Sequence, residues 1–125
     1  MPINTSFIPA CMALVAAQTI EAHRHSDGPL PTLVAWMMAN SPVPVSVATD
    51  FYSVVVLPGR EITVHTHPEA VLLYYPAPQG IPVITEGVAY CPEAGELVYM
   101  APNVPHSVPV NTSGLPRVTI AVKVA

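Results

Sequence analysis

The sequence predicts an all-β fold, a sandwich or barrel preceded by a short helix or arm, and three observations carry this. Sixteen prolines punctuate 125 residues. Between them lie short apolar runs rich in Val, Ile, Thr and Tyr, the residue types that suit a pleated and partly buried surface. Only residues 8–22 combine Ala and Leu with no internal proline from Ala10 onward, so they are the one plausible helix.

Taken in order, the arm (1–31) ends in HSDGPLP (25–31), the expected hinge. The apolar runs then follow as TLVAWMM (32–38), VPVSVA (43–48), FYSVVVL (51–57), EITVHTH (61–67) and AVLLYY (70–75). They continue as VIT (83–85), VAYC (88–91), ELVYM (96–100), HSVPV (106–110) and RVTIAVKV (117–124). Pro, Gly and Asn turns separate them, as expected of strands whose ladders proline cannot join. The whole chain, 1–125, reads as a single domain, large enough to bury a core.

Composition narrows the function. Hydrophobic residues make up 51% and charged residues only 10%, well below the quarter typical of soluble domains. The net charge is −4, and the basic residues are Arg24, Arg60, Arg117 and Lys123 alone. That excludes the clustered cations of a nucleic-acid surface and makes polyanionic substrates a poor fit. No apolar run reaches the eighteen or so residues of a membrane span. IPACMALVAAQ imitates a signal core but no Lys or Arg precedes it, so the expected location is cytoplasmic, with the stretch a buried helix or dimer-facing arm. Cys11 and Cys91 are expected to be reduced and buried. A patch such as TLVAWMM, with Trp36, Met37 and Met38, is hard to hide in a 13 kDa barrel and fits a subunit interface, so a homodimer is expected.

The chemistry gathers at histidines. His65 and His67 sit one residue apart on what reads as a buried strand, so alternation points both the same way. Paired imidazoles in an interior need a partner, and a metal ion is the commonest. As an isolated pair they could equally be core histidines bonded to backbone carbonyls. His106 joins them through GELVYMAPNVPHSVPVN (95–111).

Together these segments resemble the cupin family. Its first motif opens with Gly, five residues and His-x-His; here Gly59, REITV and His65-Thr66-His67 reproduce that half. Its second motif runs Gly, five residues, Pro-x-Gly, two residues, His, three residues, Asn. Here Gly95 and ELVYM lead to Ala101-Pro102-Asn103 and then Val104-Pro105-His106, with Asn111 one residue beyond the family's Asn. Proline has moved one position along, and Asn103 stands where the turn glycine belongs; Asn is the usual substitute at positive φ. Gly87 marks the hairpin between the motifs. The resemblance covers roughly 50–124 and implies a double-stranded β-helix, or jelly-roll, barrel.

One departure shapes the chemistry. The family's metal-binding Glu should fall at 71 or 72, which are Val71 and Leu72. Glu69 lies nearby, but along a straight strand it would be about 13 Å from His65, at roughly 3.3 Å per residue. Pro68 favours a bend that leaves Glu69 in a turn at the barrel mouth. The resemblance therefore implies a three-His site of His65, His67 and His106 for one divalent transition metal, with Fe, Zn, Ni, Cu and Mn all compatible; Glu69 is read as an outer or substrate-facing carboxylate, with a fourth-ligand role as the alternative. Without a carboxylate ligand the ion's charge is uncompensated, which strengthens its Lewis acidity and favours anionic chelating ligands.

The expected function is a metal-dependent enzyme, dioxygenase-like, acting on a small, mostly apolar chelating molecule. Glu69 and a pocket tyrosine, Tyr74, are the expected proton-handling residues. Alternation puts only one of Tyr74 and Tyr75 inside; Tyr90 and Tyr99 read as packing. Arg60 could clamp a carboxylate, though a solvated Arg fits better. His23 and His25 form a second His-x-His, read as surface residues or an auxiliary metal site. The alternatives are a non-catalytic binding or structural barrel and, among enzymes, a metal-hydroxide hydrolase or isomerase.

Overall fold

In the computed structural model the described residues are 2–16, 23–25, 30–77 and 80–125, and the side chains of 14–16 and 23–25 lie outside the description. The described strands are β1 (His23–His25), β2 (Ala48–Val56), β3 (Ile62–His65), β4 (Ala70–Tyr75), β5 (Val83–Thr85), β6 (Val88–Tyr90), β7 (Glu96–Met100), β8 (His106–Val108) and β9 (Arg117–Val124). They form a five-stranded sheet in the order β1-β2-β9-β4-β7 and a four-stranded sheet in the order β3-β8-β5-β6. Every pairing among the described strands is antiparallel, and the two sheets are arranged as in a jelly roll.

A single 3₁₀ turn, Thr5–Phe7, leads into α1 (Ile8–Ala16), inside the stretch where a helix was expected; 17–22 and 26–29 lie outside the described residues. A second helix, α2 (Pro31–Ala39), corrects the sequence reading, which placed TLVAWMM among the β-rich runs. Pro31 starts it at a position where a missing N–H is harmless. Leu33 and Met37, one turn apart, are both fully buried on the face that meets the sheet. Asn40 closes it, donating from its backbone N–H and from its side-chain amide to the Trp36 carbonyl at 3.0 and 2.9 Å. Leu33 and Met37 are therefore covered by the chain itself, whereas Val34, Trp36 and Met38 are only partly buried.

In the five-stranded sheet the central strands β4 and β9 are buried on both faces. On one, Val118, Ile120 and Val122 of β9 join Leu72 and Tyr74 of β4, Leu97 of β7 and the side chains of Cys11, Leu33 and Met37 from the helices. On the other, Arg117, Thr119, Ala121 and Lys123 of β9 join Tyr52, Val54, Val71, Leu73 and Tyr75 around a central cavity. Double burial explains why AVLLYY and RVTIAVKV read as nearly continuous apolar runs rather than alternating ones. The four-stranded sheet has no such cover. Its β3 and β6 are largely exposed, with Val64 at 70% and Val88 at 68%.

The turns follow their residues. Glu86 and Gly87, both at positive φ (50° and 78°), make the two-residue hairpin between β5 and β6, whose twist suits the strands it joins. Asn103 takes φ 60°, the left-handed backbone expected where it replaces the turn glycine. Buried Asn111 is a clamp: its amide donates to the carbonyls of Val56 (2.8 Å) and Leu115 (2.7 Å), and its oxygen accepts from the backbone N–H and hydroxyl of Ser113. Its own backbone is bonded to Gly59 and Arg60, so it pins the turn that launches β3. No described helix is long and apolar enough to cross a membrane.

Candidate metal centre and its cavity

The three histidines come from three places that tertiary structure brings together. His65 is the last residue of β3 and lies directly opposite His106, the first residue of β8. His67 is beyond the strand, just ahead of the bend at 68–69, so period-two alternation is not what aims it. A hydrogen bond holds it instead: the N–H of Asn103 donates to the His67 carbonyl at 2.9 Å, tying the turn of the second motif to the end of the first. β3 is also not the buried strand that was expected. His65 is exposed, and His67 and His106 are half-buried, so the group sits at the cavity's rim. Ring centroids are 4.1 Å apart for His65 and His106, 4.8 Å for His67 and His106, and 5.9 Å for His65 and His67.

Each ring uses Nδ1 on a nearby carbonyl: His65 on Thr63 at 2.8 Å, His67 on Glu69 at 3.2 Å and His106 on Val104 at 2.8 Å. A carbonyl only accepts, so each Nδ1 carries the proton and each neutral ring keeps its lone pair on Nε2. Potential ligand atoms of the three rings all lie within 4.8 Å of one another. Backbone-bonded histidines were the alternative to a metal site. Those bonds exist, yet they occupy one nitrogen of each ring and orient the other. Burial holds His106 below the usual imidazole range; the Val104 carbonyl opposes that shift, and His65 and His67 add to it. The neutral form is the one that binds a metal. In chemistry and arrangement this donor set fits a divalent transition metal with open positions.

Behind the histidines lies a cavity of about 430 Å³. Its wall is mainly aliphatic, from Val54, Ile62, Leu73, Val83 and Val108 among others, with hydroxyls of Thr66 and Ser107 near the histidines. Tyr75 faces it. Burial raises the Tyr75 pKa and the charge of Arg117 partly opposes the rise, so the phenol stays protonated and able to donate.

The other expected site residues lie elsewhere. Tyr74 points to the helix-covered face, where its ring meets Phe7 and Trp36 edge-on and its hydroxyl donates to the Asn4 carbonyl at 2.5 Å. It does not line the cavity, because the two buried faces of β4 take alternate residues and the cavity takes Tyr75. Glu69 is outside the histidine group; its carboxylate pairs with Lys123 at 3.6 Å. Arg60 is exposed and does not line the cavity. His23 and His25 fall in β1, and their side chains lie outside the described residues. Cys11 is buried and Cys91 is exposed, so only one thiol is where it was expected; both are free. The residue that the sequence reading passed over is Arg117, which lines the cavity. The signal was present in RVTIAVKV, where alternation sets Arg117, Thr119 and Lys123 on one face of an apolar strand.

The sequence matches no family model and no curated protein. Solved structures do match. The cupin 2 conserved barrel domain protein of Salinispora arenicola is 22% identical, with a TM-score of 0.57 over 86% of this chain and 81% of that one. The predicted oxalate decarboxylase of Thermotoga maritima is 17% identical, with a TM-score of 0.54 over 99% and 98% of the two chains. The DMSP lyase DddQ of Ruegeria pomeroyi is 20% identical, with a TM-score of 0.54 over 64% of this chain. The matched region spans 40% of that lyase and 64% of an RmlC-like cupin from Shewanella frigidimarina, less than two thirds of each. The chain has the cupin fold.

Proposed function

We propose that this barrel is a metal-dependent enzyme of the dioxygenase type, acting on a small, mostly apolar molecule that chelates the ion. The observation that carries the reading is the three imidazoles, each fixed at Nδ1 by a carbonyl and each left with Nε2 for a ligand. A metal bound there would supply Lewis acidity and, as iron, redox chemistry with dioxygen. The chain's own contribution is placement. The aliphatic walls hold an apolar body and keep water from it. The protonated Tyr75 offers a hydrogen bond inside the cavity, and the Glu69–Lys123 pair stands near the His67 end. Fold neighbours named as a decarboxylase, a lyase and a polyketide cyclase accord with a scaffold that supports several chemistries.

One observation favours a second reading, a non-catalytic barrel that binds a small ligand. Among the described residues no carboxylate lines the cavity, so no strong general base stands there. The same observation weighs against a metal-hydroxide hydrolase.

Elemental analysis of the purified protein and of His106→Ala tests the metal. One equivalent of a transition metal is expected in the first and none in the second, an affinity loss beyond the roughly 10–100-fold of an outer hydrogen-bonding partner. Oxygen consumption with thiols and diketones as probes then separates the readings. Oxygen uptake matched by probe loss supports the dioxygenase; a metal site with no turnover leaves the binding barrel. No metal in either protein, even after incubation with metal salts, overturns the proposal.

A further inference from the structure

β9 sends two cations into the cavity, and they are treated differently. Lys123, near the His67 end, has the Glu69 carboxylate at 3.6 Å. Arg117, six residues away on the same face, is only 3% exposed, and none of the described carboxylates forms an ion pair with it. Its Nη1 donates to Thr119 Oγ1 at 3.2 Å, and its guanidinium carbon lies 5.5 Å from the centre of the Tyr75 ring. Its Nε and Nη2 are buried with no hydrogen-bond partner. These two nitrogens form one edge of the planar guanidinium, the parallel pair of donors that a carboxylate accepts in a two-point contact.

A buried cation with unused donors is unfavourable unless an anion completes it. Thr119 accepts from Nη1 and Tyr75 lies beside the guanidinium, which leaves Nε and Nη2 as its unpartnered donors. We infer that Arg117 is the carboxylate anchor of this cavity. Its ligand is a small organic monocarboxylate, bound head-on to Arg117, with an apolar body along Val54, Leu73 and Val108 and its far end at His65, His67 and His106. The inference rests on the histidine group being the reacting end. A single charge fits better than a phosphate dianion, because the second cation of the cavity is already engaged by Glu69.

The test uses the full chain, with and without added zinc, titrated calorimetrically with hexanoate and with the neutral, similarly shaped hexanamide. Hexanoate is expected to bind at least tenfold more tightly, the preference is expected to vanish in Arg117→Met, and it is expected to survive in His106→Ala. Survival there would hold even if the protein bound no metal, so the two proposals fail separately. Equal binding of the two probes, or binding of neither, overturns the anchor. So does a preference that outlasts Arg117→Met but disappears in His106→Ala, since the carboxylate would then sit at the histidines. Should Arg117→Met fail to fold, the Arg117 Nε–H resonance of the wild type decides. It should move on adding hexanoate and stay in place with hexanamide; no movement with hexanoate overturns the proposal.

Discussion

The two sheets of this barrel are built to opposite specifications. The five-stranded sheet holds the larger buried core: β4 and β9 are buried on both faces, between the helices and the cavity. The four-stranded sheet supplies two of the three histidines, on strand ends, and its β3 and β6 are largely exposed. The lesson is a division of labour. A site that must admit ligands sits on the thin wall, and the thick wall holds the geometry around it. The cavity joins the two, with histidines at its rim and Arg117 from the buried sheet.

Paired core and surface truncations test that contrast most directly. Ile120→Ala removes a fully buried side chain from the helix-covered face and should destabilise by about 2–5 kcal/mol in denaturant unfolding. Val64→Ala, on a strand of the histidine sheet, should change stability by no more than about 0.5 kcal/mol. Equal losses would mean that the exposed sheet carries as much of the folding energy as the buried one.

A smaller effect is expected at the turn that holds His67. Asn103→Ala places an ordinary side chain at φ 60° and should cost about 1–2 kcal/mol, while Asn103→Gly should be close to neutral. Both keep the N–H that donates to the His67 carbonyl, so Asn103→Gly should retain metal affinity in a titration. If it loses affinity, the Asn side chain does more than support the backbone.

A further effect is a pH dependence to which the helix-covered face contributes. Burial pushes the Cys11 thiol from 9.0 up to about 11, and burial followed by the nearby Cys11 charge pushes the Tyr74 phenol from 10.0 up to about 12. Both groups ionise earlier in the unfolded chain than in the folded one. Their contribution is therefore complete below pH 9.0 and declines as pH rises toward about 11 for Cys11 and about 12 for Tyr74. Cys11→Ala should flatten the first part of that decline, read as the slope of unfolding free energy against pH. An unchanged slope would show that the thiol has no part in it.

Much of this could be read from residues. The runs AVLLYY and RVTIAVKV announce strands because burial on two faces leaves little room for polar alternation. The histidine group was legible from the resemblance of the segments after Gly59 and Gly95 to the cupin motifs, and Asn103 was legible as a turn residue from its tolerance of positive φ. TLVAWMM was not legible as a helix, because a short apolar run has no period that separates a buried helix from a buried strand. Arg117 was passed over since a lone arginine is ordinarily solvated, and only the surrounding strands show that this one is not.

The sequence by itself therefore determined the β character and the turn positions, which follow from local backbone preference, while the three histidines were picked out by the resemblance of their segments to the cupin motifs. Tertiary structure alone decided which tyrosine meets the cavity. Alternation sets Tyr74 and Tyr75 on opposite faces, but both faces of that strand are buried, so neither polarity nor period distinguishes inside from outside. The packing of α1 and α2 on one face makes that choice, and with it places Arg117 and Tyr75 on the side where chemistry can occur.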